Sequence, residues 1–286
     1  MKQEWRTQGV PATREALSKL NYREAAHPLL VLQRYLKRHK PREQRRELSV
    51  MPEEELLEAL KEMQAPEAYR VAFRRWRALA SNGLSNLTEQ CFELTGELWS
   101  SGCIRCVFTM TAVAPIAIGL GNASPLEVGI TLHHTYGMPL IPGSALKGLC
   151  RRGALLLMRE DKLSKEKFEF LFGTGGDKNA AAGAVVFYDA WYDPSSPEEG
   201  EGKPFHRDVI TVHHPKYYRE RGKTPPTDFD DPNPVPFLVI KPGVRFLFVL
   251  DAVNRDCAEY AKRLLQWCLA NLGVGAKTNA GYGYLK

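Results

Sequence analysis

The sequence predicts an α+β protein in which a helical segment precedes a mixed sheet with a βαββαβ order of elements. Three observations carry this prediction. Apolar residues recur at helical spacing as far as residue 82, strand-like and helical runs then alternate, and a glycine-rich segment closes the chain. With 286 residues, the chain is long enough for one large domain or two ordinary ones with a sizeable core.

The composition is typical of a soluble globular protein, since 44% of the residues are hydrophobic and 25% are charged. No apolar run reaches the length of about 18 residues that a membrane-spanning helix needs. The first ten residues lack the apolar core of a secretion signal. We therefore expect a cytoplasmic protein with no membrane partner.

The six cysteines are scattered along the chain, and we expect them to be reduced thiols, mostly in the core. Cys103 and Cys106 form the one CxxC pair, which has neither a second pair nor flanking histidines. Structural zinc usually needs four ligands. The sequence therefore predicts no metal site and no cofactor.

The net charge of +6 is unevenly distributed. Residues 1–80 hold 17 basic and 11 acidic residues, whereas the rest of the chain holds 22 of each. A basic N-terminal portion suggests an anionic partner, with nucleic acid as the first candidate. A solvated helical surface would give the same charge balance, so both interpretations stay open.

Residues 11–82 have the pattern of a helical extension. One helix begins at Pro52, where the glutamates that follow suit a helix N-terminus. A second helix places Arg70, Arg74 and Arg77 on one face, away from its apolar residues. That face either follows a phosphate backbone or is simply solvated.

The polar stretch SNGLSN predicts a domain boundary, with a basic helical extension in residues 1–82 and a second domain in residues 83–286. The second domain reads, in order, as a strand in 104–113, a helix in 144–158, a strand in 184–192, an insertion in 193–235, strands on both sides of Pro242-Gly243, a helix in 255–272 capped by Asn254, and a short terminal strand. The insertion is too long for an ordinary connection and is either functional or disordered. This order fits a ferredoxin-like, or RRM-like, architecture.

The helix that begins near Ser144 is a candidate phosphate cradle. Lys147 and Arg151 follow Ser144 at spacings of three and four, on a different face from the apolar residues. A helix N-terminus presents free N–H groups and the positive end of its dipole, and two basic side chains would add to that attraction. An ordinary helix start with two exposed bases is the alternative.

The glycine-rich end, GVGAKTNAGYGYLK, is a second candidate site. It lacks the GxxxxGK[ST] spacing and follows a helix instead of opening one, so it is not a nucleotide-hydrolysing P-loop. Gly273 can end the preceding helix in the left-handed conformation, and Gly275, Gly281 and Gly283 would let the backbone approach an RNA strand closely. The candidate RNA-contacting residues of this segment are Gly275, Lys277, Thr278, Asn279, Gly281 and Tyr282, of which lysine and threonine suit phosphates and tyrosine can stack on a base.

Two histidine pairs raise acid–base catalysis or metal binding as alternatives. They are His133 with His134 and His213 with His214. Adjacent histidines on a strand point to opposite faces, so each pair offers at most one metal ligand. Structural or RNA-contacting roles are favoured, and His133 and His134 join the RNA-binding candidates. The aspartates in and around the insertion lie among prolines, which favours turns over a magnesium site.

Six short segments between residues 115 and 286 form a specific set when taken in order. They are GLG at 119–121, YGMPLIPGSALKG at 136–148, FYDA at 187–190, HHPKYY at 213–218, PVPFL at 234–238 and GVGAKTNAGYG at 273–283. This set resembles the RAMP superfamily of CRISPR proteins, and most of all the sixth-subunit family of type III-B, or Cmr, effector complexes. Residues 1–80 match no motif of that family, and Ala145 stands where many relatives have a second serine.

The resemblance implies an RRM/ferredoxin-like RAMP domain with a non-catalytic, RNA-binding role. In such complexes this subunit caps the 3′ end of the guide RNA. Its neighbours are the repeated backbone RAMP subunit, which cleaves target RNA, the small helical subunit and another terminal RAMP subunit. By position, the glycine-rich loop and the helix at Ser144 would face the guide backbone. The insertion would lie between guide and target RNA or contact a subunit.

Two other functions stay open at this point. One is a metal-independent endoribonuclease that processes CRISPR RNA. His133 or His134 would be its general base, and Lys147 or Lys277 would stabilise the negative charge that develops in the transition state. The other is an adaptor whose basic helices bind a protein partner.

Overall fold

The computed structural model describes Leu57 and residues 60–81, 103–122, 128–175, 180–195, 203–230 and 232–286. The chain forms two compact units. The hairpin unit comprises Met1–Gln64, Gly119–Gly137 and Lys203–Ile240, and the sheet unit comprises Ala65–Ile118, Met138–Gly202 and Lys241–Lys286. The predicted boundary at residues 82–83, and most of the predicted helical extension, lie outside the described residues.

The sheet unit contains helix α1 (Glu67–Ser81), strands β1 (Ile104–Thr111) and β2 (Leu140–Ile141), helices α2 (Gly143–Arg159) and α3 (Lys165–Phe172), strands β3 (Gly173–Thr174), β4 (Ala181–Ala182), β5 (Val185–Phe187) and β6 (Ala190–Tyr192), and later strand β9 (Arg245–Ala252) and helix α5 (Arg255–Asn271). The hairpin unit contains β7 (Phe205–Val212), α4 (Pro215–Arg219) and β8 (Asn233–Ile240). These elements confirm the α+β class, while the ferredoxin-like assignment stays a prediction. No helix in the described part of the chain is both long and apolar enough to cross a membrane.

The main sheet is built around β9. On one side β9 pairs with β1 in an antiparallel register that places Phe108 opposite Phe248, and on the other it pairs with β5 and β6. Beyond β1, the end of the chain joins the sheet, since the amide and the carbonyl of Lys286 both bond to Thr111. The predicted terminal strand is therefore present as a short paired segment.

Strands β5 and β6 are two halves of one strand that is interrupted by a β-bulge. The chain advances four residues from Phe187 to Trp191, while the partner β9 advances three, from Leu250 to Leu247. One extra residue on one strand is the definition of a bulge, which turns side chains away from their regular direction. The bulge falls on the FYDA segment, at Tyr188 and Asp189.

Both faces of the sheet are covered at its centre, because every residue of β9 from Phe246 to Ala252 is buried. Helix α1 contributes to this cover with an aromatic cluster. The ring of Trp76 lies 5.8 Å from that of Tyr188 and 5.9 Å from that of Trp191, and the hydroxyl of Tyr69 donates to the carbonyl of Tyr192 at 2.6 Å. RRM domains stack bases on an open sheet face. In this unit helix α1 occupies the part of the sheet face around Tyr188 and Trp191.

The hairpin unit gives the predicted insertion a regular core. Strands β7 and β8 pair antiparallel along their whole length, with Phe205 opposite Ile240. Phe205 and Ile240 are fully buried, whereas the aromatic rings of Tyr218 and Phe229 are 69% and 96% exposed between the two strands. Strand β7 was not predicted from the sequence.

Candidate nucleic-acid interface

The glycine-rich end folds back on its own unit as an ordered loop. Helix α5 ends at Asn271, and Gly273 follows it with φ 71° and donates its amide to the carbonyl of Cys268 at 3.1 Å, which confirms the predicted left-handed end of the helix. The loop is then closed across its base, since Val274 donates to Gly283 at 2.8 Å and Gly283 donates to Pro115 at 2.8 Å. The loop is thus held at both of its ends.

The glycines of this loop serve different purposes. Gly275, Gly281 and Gly283 all have positive φ values, of 86°, 90° and 83°. A Cβ on Gly275 would strike the carbonyl of Ala117, and a Cβ on Gly283 would strike the backbone of Val274. These two glycines therefore allow the chain to approach itself. Only Gly281 of the three has open space where a Cβ would stand, so close approach of an RNA strand is a suitable hypothesis there alone.

The tip of the loop brings Lys277 and Tyr282 together. The Nζ of Lys277 lies 5.8 Å from the centre of the Tyr282 ring, and the amide of Tyr282 donates to the Lys277 carbonyl. Between them, Thr278–Ala280 forms a turn of 3₁₀ helix, whose Thr278 carbonyl accepts from the Tyr284 hydroxyl at 3.1 Å. Asn279 is exposed. Five of the six candidates of this segment, all except Gly275, thus lie around one tip.

Lys277 is the non-glycine residue of this loop with a left-handed backbone, with φ 61° and ψ 27°. A side chain in that conformation costs roughly 1 kcal/mol or more relative to the usual helical or extended regions. Glycine would avoid this cost, as it does at its neighbours Gly275 and Gly281. The strain therefore suggests that the lysine side chain has a use at this position.

The start of helix α2 differs from a free phosphate cradle. The amide of Gly143 donates to the Asp189 carboxylate at 2.7 Å, so one of the free N–H groups is already taken by an anion of the same unit. Ser144 is exposed, and the residue at the N-cap position is Pro142, which makes no side-chain hydrogen bond to the helix. Along the same helix, Lys147 is half-buried and the guanidinium of Arg151 lies 4.9 Å from the centre of the Phe168 ring. The three predicted residues remain a basic, solvent-accessible stretch, with an acidic group at its N-terminal end.

His133 and His134 belong to the hairpin unit and lie outside any strand, with His134 in a turn, so the two side chains are not forced to opposite faces. The Nδ1 of His133 accepts the Thr135 amide at 3.2 Å, and its ring packs on Tyr136. In the second pair, His214 lies 3.0 Å from Asp230. Within the described residues, no group of three His, Cys, Asp or Glu side chains is placed to hold a metal ion.

The sequence did not reveal a buried charged network on the sheet. Arg105 and Asp251, opposite each other on β1 and β9, form two hydrogen bonds of 2.6 Å, and Tyr188 donates to the same carboxylate at 2.8 Å. Burial, together with this hydrogen bond to Asp251, raises the pKa of Tyr188 to about 12. Asp189, beside Tyr188 in the bulge, was also missed as the partner of helix α2. The FYDA segment was the available signal, but its geometry depends on the bulge.

The fold and the terminal loop define a member of the RAMP superfamily. The family model matches residues 109–286, which is more than half of the chain, and the chain belongs to that superfamily. It is similar to the CRISPR system Cmr subunit Cmr6 of Pyrococcus furiosus, with 30% identity over a match that covers 59% of this chain and 64% of the relative. The chain therefore spans just under two thirds of the length of that relative.

Solved structures extend the comparison. A chain in the cryo-EM structure of the type III-B Cmr-beta bound to cognate target RNA matches with a TM-score of 0.50 and 24% identity, over 77% of this chain and 72% of that one, which is a likeness of fold. The crystal structure of Cmr6 from Pyrococcus furiosus matches with a TM-score of 0.44 and 27% identity, over 65% of this chain and 98% of that one. The resemblance predicted from the six segments is confirmed by the family and by the similar sequence.

Proposed function

We propose that this chain is an RNA-binding structural subunit of a cytoplasmic type III-B CRISPR effector complex. In this role it caps the 3′ end of the guide RNA in antiviral defence. Its partners are the guide RNA, the target RNA paired with it, and the other Cmr subunits: the repeated backbone RAMP subunit, the small helical subunit and another terminal RAMP subunit. Membership of the RAMP superfamily and the similarity to a protein named as a Cmr subunit support this proposal.

The observation that carries the RNA-binding part is the conformation of Lys277. Its backbone is left-handed, its ammonium group lies beside the Tyr282 ring, and the neighbouring Gly281 leaves the tip open. A cation beside an aromatic face offers a phosphate partner and a stacking surface at one place. Because helix α1 covers part of the sheet face, a loop of this kind is the more suitable RNA-binding surface of the unit.

Helix α2 supplies a second set of cations in this proposal. Lys147 and Arg151 would contact the guide backbone through their side chains, while Asp189 already holds the Gly143 amide. Ser144, Thr278 and Asn279 would add neutral hydrogen bonds to phosphate or ribose oxygens. His133 and His134 would contact RNA without a catalytic role.

The test removes the Lys277 side chain without disturbing the loop. Lys277→Gly keeps a backbone that glycine adopts easily, so the fold should be kept or slightly stabilised. We expect the affinity for a guide RNA, measured by filter binding, to fall by about tenfold. The slope of log affinity against log salt concentration should become shallower by about one. The control is Lys165→Ala, which removes one charge from α3, where the side chain is 78% exposed.

The same assay tests the position on the guide. Truncation of the guide RNA at its 3′ end should weaken binding, while truncation at its 5′ end should not. Equal affinities of Lys277→Gly and Lys165→Ala would contradict the role of the loop. Cleavage of repeat RNA in the presence of EDTA, lost in His134→Ala, would replace the structural role with the endoribonuclease. Copurification with the other Cmr subunits tests the membership of the complex.

A further inference from the structure

The arginine face of helix α1 borders a pocket within the sheet unit. The pocket has a volume of about 280 Å³ and lies between α1 and the segment that follows β6. It is lined by Glu67, Arg70, Phe73, Arg74, Arg77, Asp193, Pro194 and Ser195. The sequence left open whether the three arginines are solvated or follow a phosphate backbone, and their convergence on one pocket bears on that choice.

The three arginines are held in different ways. Arg70 is fixed by two backbone carbonyls, since its Nε donates to Ala65 at 3.1 Å and its Nη1 to Pro194 at 3.4 Å. Arg74 pairs with Glu67 at 2.8 Å, but both side chains are about 70% exposed, and such pairs contribute little and exchange partners readily. Arg77 has no hydrogen-bond or ion-pair partner in the described part of the chain. Donors on Arg74 and Arg77 are therefore available to a ligand.

The acidic residue in the wall does not cancel this charge. Asp193 is buried, its Oδ2 accepts from the Nε of Arg245 at 2.9 Å, and its Oδ1 accepts from the amide and hydroxyl of Ser195 at 2.9 and 2.6 Å. The charge of Asp193 is thus balanced by Arg245 outside the pocket lining. Of the remaining charged residues in the lining, three are arginines and one is Glu67, so the pocket has a net positive charge.

We propose that this pocket binds the phosphodiester backbone of an RNA strand. Guanidinium groups match phosphate oxygens in two-pronged hydrogen bonds. Arg70, Arg74 and Arg77 form a row that extends over about 10 Å along a rigid helix, which suits charges that repeat regularly along a strand. Pro194 supplies apolar atoms for the sugar. The proposal rests on the proposed function for the source of the RNA and adds a second contact surface, on the N-terminal side of the RAMP match.

The experiment compares two arginines on the same helix. Arg77 lines the pocket, whereas Arg75 is also exposed but does not. Arg77→Glu and Arg75→Glu make the same change in net charge. We expect Arg77→Glu in the full chain to weaken binding of labelled oligouridylate RNA by about tenfold and to reduce the salt slope by about one, and Arg75→Glu to change it by less than about twofold. Circular dichroism checks that each variant keeps its helical content. Arg74→Gln, at the other arginine with available donors, is the second variant in the binding assay.

The outcomes separate this proposal from the proposed function. Equal affinities of Arg77→Glu and Arg75→Glu, with Lys277→Gly still weakened, would overturn the pocket and leave the proposed function intact. A wild-type chain that does not bind RNA would overturn both. Unlabelled polyglutamate is also used as a competitor of the labelled oligouridylate. If it displaces the RNA from the wild type as well as unlabelled oligouridylate does, but not from Arg77→Glu, the pocket is assigned to an acidic protein segment and the RNA proposal is overturned.

Discussion

Gly281 and Gly283 form a matched pair for testing how the terminal loop is built. Both have a left-handed backbone, with φ 90° and 83°. A Cβ on Gly283 would overlap the backbone of Val274, whereas one on Gly281 would meet nothing within 4 Å. Alanine at either site therefore introduces the same conformational strain, but only alanine at 283 adds a steric clash.

The magnitude follows from these two terms. The left-handed conformation of an alanine lowers the free energy of unfolding by roughly 1 to 2 kcal/mol. Alanine also reduces the entropy of the unfolded chain, which raises the free energy of unfolding by roughly 0.4 to 1 kcal/mol. Both terms apply to both variants. The clash at Gly283 adds roughly 1 to 3 kcal/mol, because Val274 is held by its own hydrogen bond to the Gly283 carbonyl and cannot easily move. We expect Gly283→Ala to be the less stable variant by about 2 kcal/mol.

Two measurements check this difference. Urea unfolding gives the free energy of unfolding of each variant, and hydrogen exchange reports whether the Val274 and Gly283 amides open more often. We expect faster exchange at both amides in Gly283→Ala only. If the two variants lose the same stability and exchange at the same rate, the close contact between Gly283 and Val274 does not hold the loop.

The remaining predictions concern the buried network on the sheet. Asp251→Asn leaves the Arg105 guanidinium, whose side chain is 9% exposed, without its counter-charge, and should lower the free energy of unfolding by about 3 kcal/mol in calorimetry. A loss below about 0.5 kcal/mol would show that Asp251 does not offset the charge of Arg105. Tyr188, with its pKa raised to about 12, contributes stability that is fully present below its unfolded pKa near 10 and is lost as the pH rises towards 12. Tyr188→Phe should therefore lose less stability than the wild type between pH 10 and 12, and an unchanged pH dependence would argue against the raised pKa.

The terminal loop was predictable from the sequence in part. The left-handed residue that follows helix α5, Gly273, could be predicted from the apolar stripe and the glycine, because both are local signals. The purpose of Gly275 and Gly283 did not follow, since it depends on Ala117 and Val274, which lie against them only in the folded chain. Glycine in a sequence indicates a close approach without telling what approaches.

The helix start at Gly143 illustrates a second limit. The spacing of Ser144, Lys147 and Arg151 correctly places them on one helix, but spacing does not fix the direction of a side chain. The structure places Arg151 over Phe168 and sets Asp189 against the Gly143 amide. Both contacts join parts of the chain that are distant in sequence, and the second requires a bulge that no local pattern announced.

Strand β7 shows that the insertion was underestimated. Its sequence, FHRDVITV, contains β-branched residues, but the prolines, glycines and charges of residues 193–235 led to the prediction of an insertion that is either functional or disordered. The partner strand β8 stabilises β7 by pairing along eight residues. Pairing with a distant segment is a tertiary contribution that residue preferences do not contain.

The pairing of β1 with β9 has a consequence for the order of folding during synthesis. Even the register pair nearest in sequence, Thr111 with Arg245, is separated by more than 130 residues. At roughly 5 to 20 residues per second, a ribosome takes about 7 to 27 s to make the chain between them. Throughout that interval β1 has been made without its partner, and once it has emerged its unpaired edge must be kept from aggregating. The central sheet is therefore completed late, after most of the chain has been made.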